Sequence, residues 1–256
     1  MKTPPMLAPA AGARRARRRA AVTGAVTLTI IMVAVVVLPH GHPAAGRHPS
    51  GRTRPRASAT STPAVGTTGP PVIPVVDLEG LTWADFHGIE LPTSAQDGPA
   101  DTSGGLASGF TDSPRGALLA AVNIGVRTAW QWGPAIFGPT IERQVTGPGT
   151  SALLQAQQAA YAQAQAGPSP ESVPVQRAYA VEEAFRFDGY TPDDATVDVV
   201  SAGPGDNGAT VRAATRIEVE WISGDWRVVA PPGGDWGNSA IPVASLSGYT
   251  IFPGQG

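Results

Sequence analysis

The sequence predicts an α+β domain outside a membrane, attached to a single N-terminal transmembrane helix. Three observations support this prediction: an apolar run of 19 residues behind a cluster of arginines, then segments with helical spacing, and finally segments in which apolar and polar residues alternate. Helices followed by an antiparallel meander form α+β domains whose helices cover one face of the sheet. We therefore expect about three helices packed on a curved, cone-like antiparallel sheet of about four strands.

The apolar run Ala20–Leu38 is long enough to cross a bilayer as a helix, since about 20 residues span the hydrocarbon core. Five arginines between residues 14 and 19 precede it, and they favour an orientation with residues 1–19 in the cytoplasm. The alternative is a cleaved signal peptide, but its apolar region usually runs about 7–15 residues, and Pro43 disfavours cleavage after Ala45. The sequence thus favours a single-pass plasma-membrane protein whose C-terminal domain is extracellular.

Charge is divided unevenly along the chain. Residues 1–56 carry ten Lys or Arg and no acidic residue, whereas the remaining 200 residues carry 8 Arg against 20 Asp or Glu, a net charge of −12. Phosphate contacts need clustered Lys and Arg, so this composition argues against nucleic-acid binding by the exterior domain. The basic N-terminus suits the anionic lipids of the inner leaflet. The chain contains no cysteine, which excludes a disulfide framework and a thiolate metal site.

A linker is predicted between the membrane span and the exterior domain. Residues 39–76 are rich in Pro, Gly, Ser, Thr and Arg and contain almost no large apolar residue, so they are expected to be extended or disordered. Its three histidines lack carboxylate or thiolate support and are interpreted as solvated side chains rather than metal ligands. These histidines are His40, His42 and His48.

The exterior domain is predicted over residues 77–230 and is followed by a Gly/Pro-rich tail, residues 231–256. The domain is long enough to bury a core of its own without disulfides. In the tail, Tyr249, Ile251 and Phe252 leave two alternatives open, an additional edge strand or a frayed end.

The first predicted helix begins at Pro114. Ser113 or Asp112 can cap the free N–H groups at its start, and proline suits the first helical position. Gly133-Pro134 is expected to end the helix. Its apolar stripe consists of Leu118, Val122, Val126 and Trp130. The other two predicted helices are Pro139–Thr146 and Thr150–Ala166.

The clearest predicted strand is Val211–Trp221, in which apolar odd positions alternate with mostly polar even ones. The turn at Ser223-Gly224-Asp225 predicts a hairpin in which Trp221 pairs with Trp226. This register predicts three further pairs: Val219 with Val228 and Ile217 with Ala230 on the buried face, and the ion pair Glu220–Arg227 on the wet face.

Two more strands are predicted before this hairpin. In Ala195–Ser201, Val197 and Val199 are expected to point inward. In Val175–Phe187, Arg177 and Glu183 interrupt the inward face, and a bulge would account for the interruption.

The sequence of the folded region contains no recognisable pattern of catalytic residues. His87 is its only histidine, and no serine lies in a nucleophile elbow. Glu182 and Glu183 are adjacent on a predicted strand and point to opposite faces, while Asp193 and Asp194 are interpreted as turn formers. The loop 203–208 lacks the acids of a calcium site, and no phosphate-binding glycine loop is present. Catalytic, cofactor and metal sites are therefore not predicted, and Trp83, Trp130 and Trp132 are interpreted as core packing.

Several blocks resemble an uncharacterised family of actinobacterial single-pass membrane proteins. Its members share an N-terminal span, a Pro-rich linker and a block of the form GF..TP.GALLAA, and the resemblance covers roughly residues 77–230. Because this family has no assigned activity or catalytic residue, the resemblance implies kinship but no function. The resembling blocks are Trp83, Gly88–Pro92, Gly98-Pro99, Gly109–Ala121, Tyr190, Ala195–Val197 and Gly224–Val228.

At a more distant level, the overall layout resembles that of scaffold proteins of conjugation and type IV secretion machines, among them TcpC. Those proteins place a domain of the nuclear-transport-factor-two-like fold outside the membrane. Accessory proteins of actinobacterial lipid-import (Mce) systems have the same layout. These likenesses concern architecture, and a fold does not imply a function.

Three functions follow from these observations. The favoured one is a non-enzymatic, membrane-anchored scaffold or docking component, with the lipid bilayer and proteins of a conjugation- or secretion-type complex as partners. The alternative is an exterior module that binds a lipid or cell-wall ligand inside the cone. The third is an isomerase-type enzyme, which needs an acid or base inside the cone, where Ser201 and Thr215 are the only polar inward positions of the two best strands.

Overall fold

The computed structural model describes residues 70–166, 180–205 and 209–254. Among these residues, no helix is both long and apolar enough to cross a bilayer. The predicted span Ala20–Leu38, the cytoplasmic segment before it and the linker histidines lie outside the described residues.

The described residues form an α+β structure, as predicted, with three α-helices and a mixed sheet. A separate two-stranded hairpin precedes the first helix. The helices are α1 (Pro114–Arg127), α2 (Pro134–Gln144) and α3 (Thr150–Ala166). The strands are β1 (Leu81–Phe86), β2 (Ile89–Ser94), β3 (Val145–Thr146), β4 (Val181–Tyr190), β5 (Asp194–Pro204), β6 (Thr210–Ile222), β7 (Asp225–Val229), β8 (Ala240–Pro242) and β9 (Thr250–Ile251).

Within the described residues, the main sheet has seven strands, in the order β3-β7-β6-β5-β4-β9 with β8 paired to β6 beyond the end of β7. The prediction of an antiparallel sheet of about four strands is wrong in two respects, because β3 runs parallel to β7 and the sheet includes three more strands than predicted. The four predicted strands correspond to the central strands β4 to β7. The edge strands β3, β8 and β9 contain only two or three residues each, which is too short for alternation to be visible in a sequence.

The register of the β6–β7 hairpin is confirmed for three of the four predicted pairs, among them Trp221 with Trp226 and Val219 with Val228. The predicted pair of Ile217 with Ala230 is wrong, because the ladder ends at Val219 and Val228 and the Ala230 amide donates to the carbonyl of Thr146 instead. Glu220 also stands opposite Arg227, as predicted. However, the salt bridges formed within the described ranges do not include this pair. Register is set here by the buried tryptophan and valine pairs, because an exposed ion pair contributes little.

A bulge interrupts β4 between Glu182 and Ala184, where its register on β5 shifts. The bulge was expected, but its effect on the side chains was not. Glu182 pairs with Ser201 on the inner face and is only 1% exposed, whereas Glu183 forms a salt bridge with Arg212. The predicted inward position of Glu183 is therefore wrong, and Glu182 points inward instead.

Helix α1 begins as predicted, with Pro114 in its first turn and Ser113 as its cap. The Ser113 hydroxyl accepts a hydrogen bond from the Gly116 amide at 3.0 Å and donates one to Asp97 at 2.8 Å. The predicted end at Gly133-Pro134 is wrong, because α1 stops at Arg127 and a short 3₁₀ turn, Trp130–Trp132, follows. Helix α1 packs against the inner face of the main sheet on one side and against β2 on the other.

Helix α2 begins at Pro134, five residues before the predicted start at Pro139. Both prolines suit a first helical turn, and the sequence does not discriminate between them. The third predicted helix, Thr150–Ala166, is confirmed as α3.

The C-terminal residues pack against the main sheet. Strand β9 pairs with β4, so the edge-strand alternative for Ile251 is confirmed. Phe252 is 1% exposed and lies against Phe185 with ring centroids 5.0 Å apart. On the outer face, a small cluster of Ala184, Val200 and Ala214 is covered by Val243, Leu246 and Tyr249. The packed unit thus continues well past residue 230.

Candidate binding cleft

The outer face of the main sheet carries three charged side chains in one cross-strand row. Arg186 on β4 pairs with Asp198 on β5, which in turn pairs with Arg216 on β6. Asp198 accepts hydrogen bonds from Arg186 Nη2 at 2.6 Å and from Arg216 Nε at 2.9 Å. We call these three residues the charged row.

The charged row is buried at its centre and exposed at both ends, where Arg216 also forms a salt bridge with Asp188 and Arg186 lies over the ring of Tyr249. Asp198 is 4% exposed, whereas the two arginine side chains are nearly half exposed. Burial alone would raise the pKa of Asp198, but hydrogen bonds and charge from Arg216 and Arg186 outweigh it and hold the pKa below its usual value. Asp198 is therefore ionised at neutral pH and already occupied by the two guanidinium groups, so it is unsuited to act as a general base.

The charged row forms one wall of a cleft of about 780 Å³ that is open to solvent. The opposite wall is mostly apolar and is built by the residues before and at the start of α3 and by the segment after β7. Ile241 on β8 lies at the rim and is 58% exposed. The lining residues are Pro148, Gly149, Ala152, Arg186, Asp198, Ala214, Arg216, Glu218, Val229, Ala230, Pro231, Pro232, Gly233, Trp236, Asn238, Ser239 and Ile241.

Two glycines allow the apolar wall to form. Gly234 has a φ of +72°, and a Cβ added there would lie 2.3 Å from the backbone nitrogen of Leu153 in α3. A Cβ on Gly149 would lie 2.7 Å from the carbonyl oxygen of Pro231. The segment after β7 therefore packs directly on the start of α3 because neither glycine has a side chain.

A break in strand pairing lies at the floor of the cleft. Strand β8 pairs with residues 213–215 of β6, and β7 pairs with residues 219–222 along the same edge. Arg216 and Glu218, between these two stretches, both line the cleft. The 3₁₀ turn Trp236–Ser239 stands beside this gap.

The cleft combines two exposed arginines, the exposed carboxylate of Glu218 and an apolar wall, and arginine is enriched at protein–protein interfaces. Among the residues that line the cleft, Ser239 has the one hydroxyl group, and no histidine or lysine accompanies it. Within residues 70–166, 180–205 and 209–254, no group of three or more His, Asp or Glu is placed to hold a metal ion.

Comparison with known protein families gives one result. Residues 43–251 match the family model described as "Domain of unknown function (DUF8175)". The chain belongs to this family. No curated protein and no solved structure matches the chain. The family description carries no activity, so the function of this DUF8175 chain has to be inferred from its own geometry.

His87 lies away from the cleft, at the turn between β1 and β2, with a φ of +54°. Its ring stacks on that of Trp132 at 5.5 Å. Trp83 contacts Phe252 edge-on and donates to the carbonyl of Pro253 at 2.9 Å. Trp83, Trp130 and Trp132 all pack against the core, and the cleft tryptophan is Trp236 instead.

The two acidic pairs have the structural roles that were expected, with Glu182 and Glu183 on opposite faces of β4 and the two aspartates in a turn. Asp193 and Asp194 lie at the turn into β5, where Thr191 receives and donates the hydrogen bonds that close the turn. Glu182 accepts a hydrogen bond from the Ser201 hydroxyl at 2.7 Å, and burial raises its pKa to about 7. Residues 206–208 of the glycine-rich loop lie outside the described residues.

Sequence reasoning missed the charged row. It assigned Arg216 to a uniformly wet face without pairing that face with β4 and β5. Pairing the two predicted strands that became β5 and β6 would have shown that Arg216 can stand opposite Asp198, since both occupy outward positions of these strands. Trp236 and Ile241 carried no such signal, because they lie in a tail without periodicity.

Proposed function

We propose that this chain is a non-enzymatic, membrane-anchored docking component of a conjugation- or secretion-type membrane complex. The cleft on the outer face of the sheet is its docking surface, and a segment of another membrane-complex protein is its ligand. The single observation that carries the proposal is the charged row facing an apolar wall across an open cleft of about 780 Å³.

The cleft chemistry defines the partner segment. Arg186 and Arg216 present guanidinium groups that are nearly half exposed, so each can bind a carboxylate of the partner through the N–H groups that Asp198 and Asp188 do not occupy. Ile241, Trp236 and the prolines across the cleft favour an apolar side chain next to that carboxylate. A segment that alternates acidic and apolar residues fits both walls.

The two other functions of the sequence analysis have less support. A ligand inside the sheet would need an inner cavity, but the inner face is filled by α1 and by buried side chains such as Phe185, Phe187 and Val197. An enzyme would need an accessible inward acid. Glu182 is inward, but it is 1% exposed, and the cleft lies on the opposite face of the sheet.

Site-specific photo-crosslinking in the membranes of the native host tests the proposal. A photoreactive amino acid replaces Ile241, which lines the cleft, or Ile251, which does not. The two positions are matched, since both are strand isoleucines, 58% and 59% exposed. We expect Ile241 to crosslink to a membrane protein and Ile251 to give no such product.

The partner captured at Ile241 should be lost when Arg216→Gln is added, because the charged wall then loses one cation. Equal crosslinking from both positions, or none from Ile241, would contradict the docking function. Recovery of the full-length chain in the soluble fraction would contradict the membrane anchor separately.

A further inference from the structure

Arg127, the last residue of α1, is a buried cation without a counter-ion among the described residues. It is 4% exposed, and the salt bridges in this part of the chain do not include it. Its Nη1 donates to the backbone oxygen of Asn123 at 2.7 Å and to the Asn123 Oδ1 at 3.0 Å. Its Nε is buried and has no hydrogen-bond partner.

Such an arrangement is costly for a guanidinium. Arginine is almost never fully buried unless it is paired, because the loss of hydration has to be offset by an anion or by a full set of acceptors. Burial lowers the pKa of Arg127 to about 10, so the group stays charged at neutral pH. An anion bound to the Nε edge would complete the set of partners.

An aromatic cluster from the end of β1, the β1–β2 turn and the 3₁₀ turn after α1 lies on one side of Arg127, with Phe86 in direct contact with the guanidinium. The guanidinium carbon lies 4.2 Å from the centre of the Phe86 ring. Trp132 contacts both Phe86 and His87, at ring-centroid distances of 5.2 and 5.5 Å. The Trp132 indole is held by a 2.7 Å hydrogen bond to the carbonyl of Val126.

We propose that Arg127 binds a carboxylate beneath the β1–β2 turn, with the carboxylate side-on to the Nε edge and enclosed by Phe86, His87 and Trp132. A carboxylate carries one negative charge, which matches the single cation. A phosphate has more oxygens and up to two charges, and the surrounding rings offer too few donors for it. This site is distinct from the outer-face cleft and does not depend on the docking function.

The turn that covers Arg127 is suited to admit a ligand. β1 and β2 form a two-stranded sheet of their own, which does not pair with the main sheet. At its tip, His87 is exposed and Phe86 is half-buried, so the aromatic cluster over Arg127 reaches the protein surface. The carboxylate comes either from a free small molecule or from an acidic side chain of a peptide.

Thermal unfolding of the full chain in detergent micelles tests the site, with sodium benzoate as a free carboxylate and acetyl-Gly-Glu-Gly-amide as an acidic peptide. Sodium chloride keeps the ionic strength constant. We expect tens of millimolar of at least one carboxylate to raise the unfolding midpoint by about 2 °C or more. Arg127→Met should abolish the shift, and the control Arg143→Met, which removes an exposed arginine of α2, should retain it.

The relative effects of the two probes distinguish a free ligand from a peptide side chain. Inorganic phosphate is the third probe, and a larger shift with phosphate than with either carboxylate would overturn the proposal. So would the absence of any shift, or an equal shift in Arg127→Met. If Arg127→Met does not fold, the Nε–H resonance of Arg127 in the ¹⁵N-arginine-labelled wild type decides, since it must move on addition of carboxylate.

Discussion

Replacement of Glu182 by glutamine should remove a pH dependence from the stability of this protein. Glu182 lies on the inner face of the main sheet, 1% exposed, with one hydrogen bond from the Ser201 hydroxyl. Burial raises the pKa of its carboxyl from 4.5 to about 7, against the smaller opposing effect of the Ser201 hydrogen bond. The folded protein therefore binds this proton more tightly than the unfolded chain does.

The sign and size of the effect follow from that difference. Below pH 4.5 the Glu182 carboxyl is mostly protonated in both the folded and the unfolded state, so its ionisation does not lower the free energy of unfolding. Between pH 4.5 and pH 7 the free energy of unfolding falls as pH rises, by up to about 1.4 kcal/mol per pH unit. Above pH 7 the decrease in the free energy of unfolding is complete and amounts to about 3 kcal/mol. Glu182→Gln lacks this dependence but buries an additional N–H₂ group, at a pH-independent cost of about 1 kcal/mol.

Urea unfolding of the full chain in detergent, followed by tryptophan fluorescence at pH 5, 6, 7 and 8, measures the difference. We expect Glu182→Gln to be less stable than, or equal to, the wild type at pH 5 and more stable by about 2 kcal/mol at pH 8. The control Glu90→Gln changes an exposed strand glutamate and should leave the pH profile unchanged. Parallel pH profiles for Glu182→Gln and the wild type would refute the reasoning.

Two further predictions concern the cleft. Gly234→Ala should lower the free energy of unfolding by about 2 kcal/mol or more, because the new Cβ would lie 2.3 Å from a backbone nitrogen of α3. Gly224→Ala is the control, since Gly224 also has a positive φ but no atom lies within 4 Å of the added Cβ. In the same urea titration, this control should lower the free energy of unfolding by only about 1 kcal/mol. Asp198→Asn should cost about 2 kcal/mol at pH 7, and the difference should shrink as pH falls below 4, since the lowered pKa of Asp198 stabilises the fold only while it is ionised. Asp188→Asn, which removes a 55% exposed carboxylate from the same network, should cost about 0.5 kcal/mol or less, and a loss equal to that of Asp198→Asn would contradict the assignment of the charged row.

The elements that sequence reasoning recovered are those in which one local signal is sufficient. The β6–β7 hairpin has a turn, an alternation and two tryptophans that all require one register. The start of α1 has a capping serine followed by proline. Helix α3 is bordered by glycine and proline on both sides. In each case the neighbouring residues alone determine the structure.

The elements that it missed depend on contacts between distant segments. Trp130 continues the apolar spacing of α1, but the helix ends at Arg127. Trp130 and Trp132 lie instead in a 3₁₀ turn that packs against α2 and α3. The inward position of Glu182 results from a bulge that only the pairing with β5 reveals. The short strands β3, β8 and β9 exist because a longer strand offers them an edge.

The candidate sites also divide into residues that local sequence predicts and residues that it does not. The opposite faces of Glu182 and Glu183 followed from strand geometry, and the turn role of Asp193 and Asp194 followed from the turn preference of aspartate. The burial of Arg127 did not, because an arginine at the end of an apolar helix is usually solvated. Only the β1–β2 turn, which places Phe86 over the guanidinium, makes this residue unusual.

The walls of the cleft come from three parts of the chain: the start of α3, the central strands, and the segment from Val229 to Ile241. The contacts of α3 with that last segment join residues about 80 positions apart, and closing so long a loop costs more entropy than forming a local helix or hairpin. A chain interrupted before β8 would keep the charged row but lose the rim at Ile241 and much of the apolar wall. A partner that binds in the proposed docking cleft would therefore distinguish a domain that includes the segment up to Ile241 from one that lacks it.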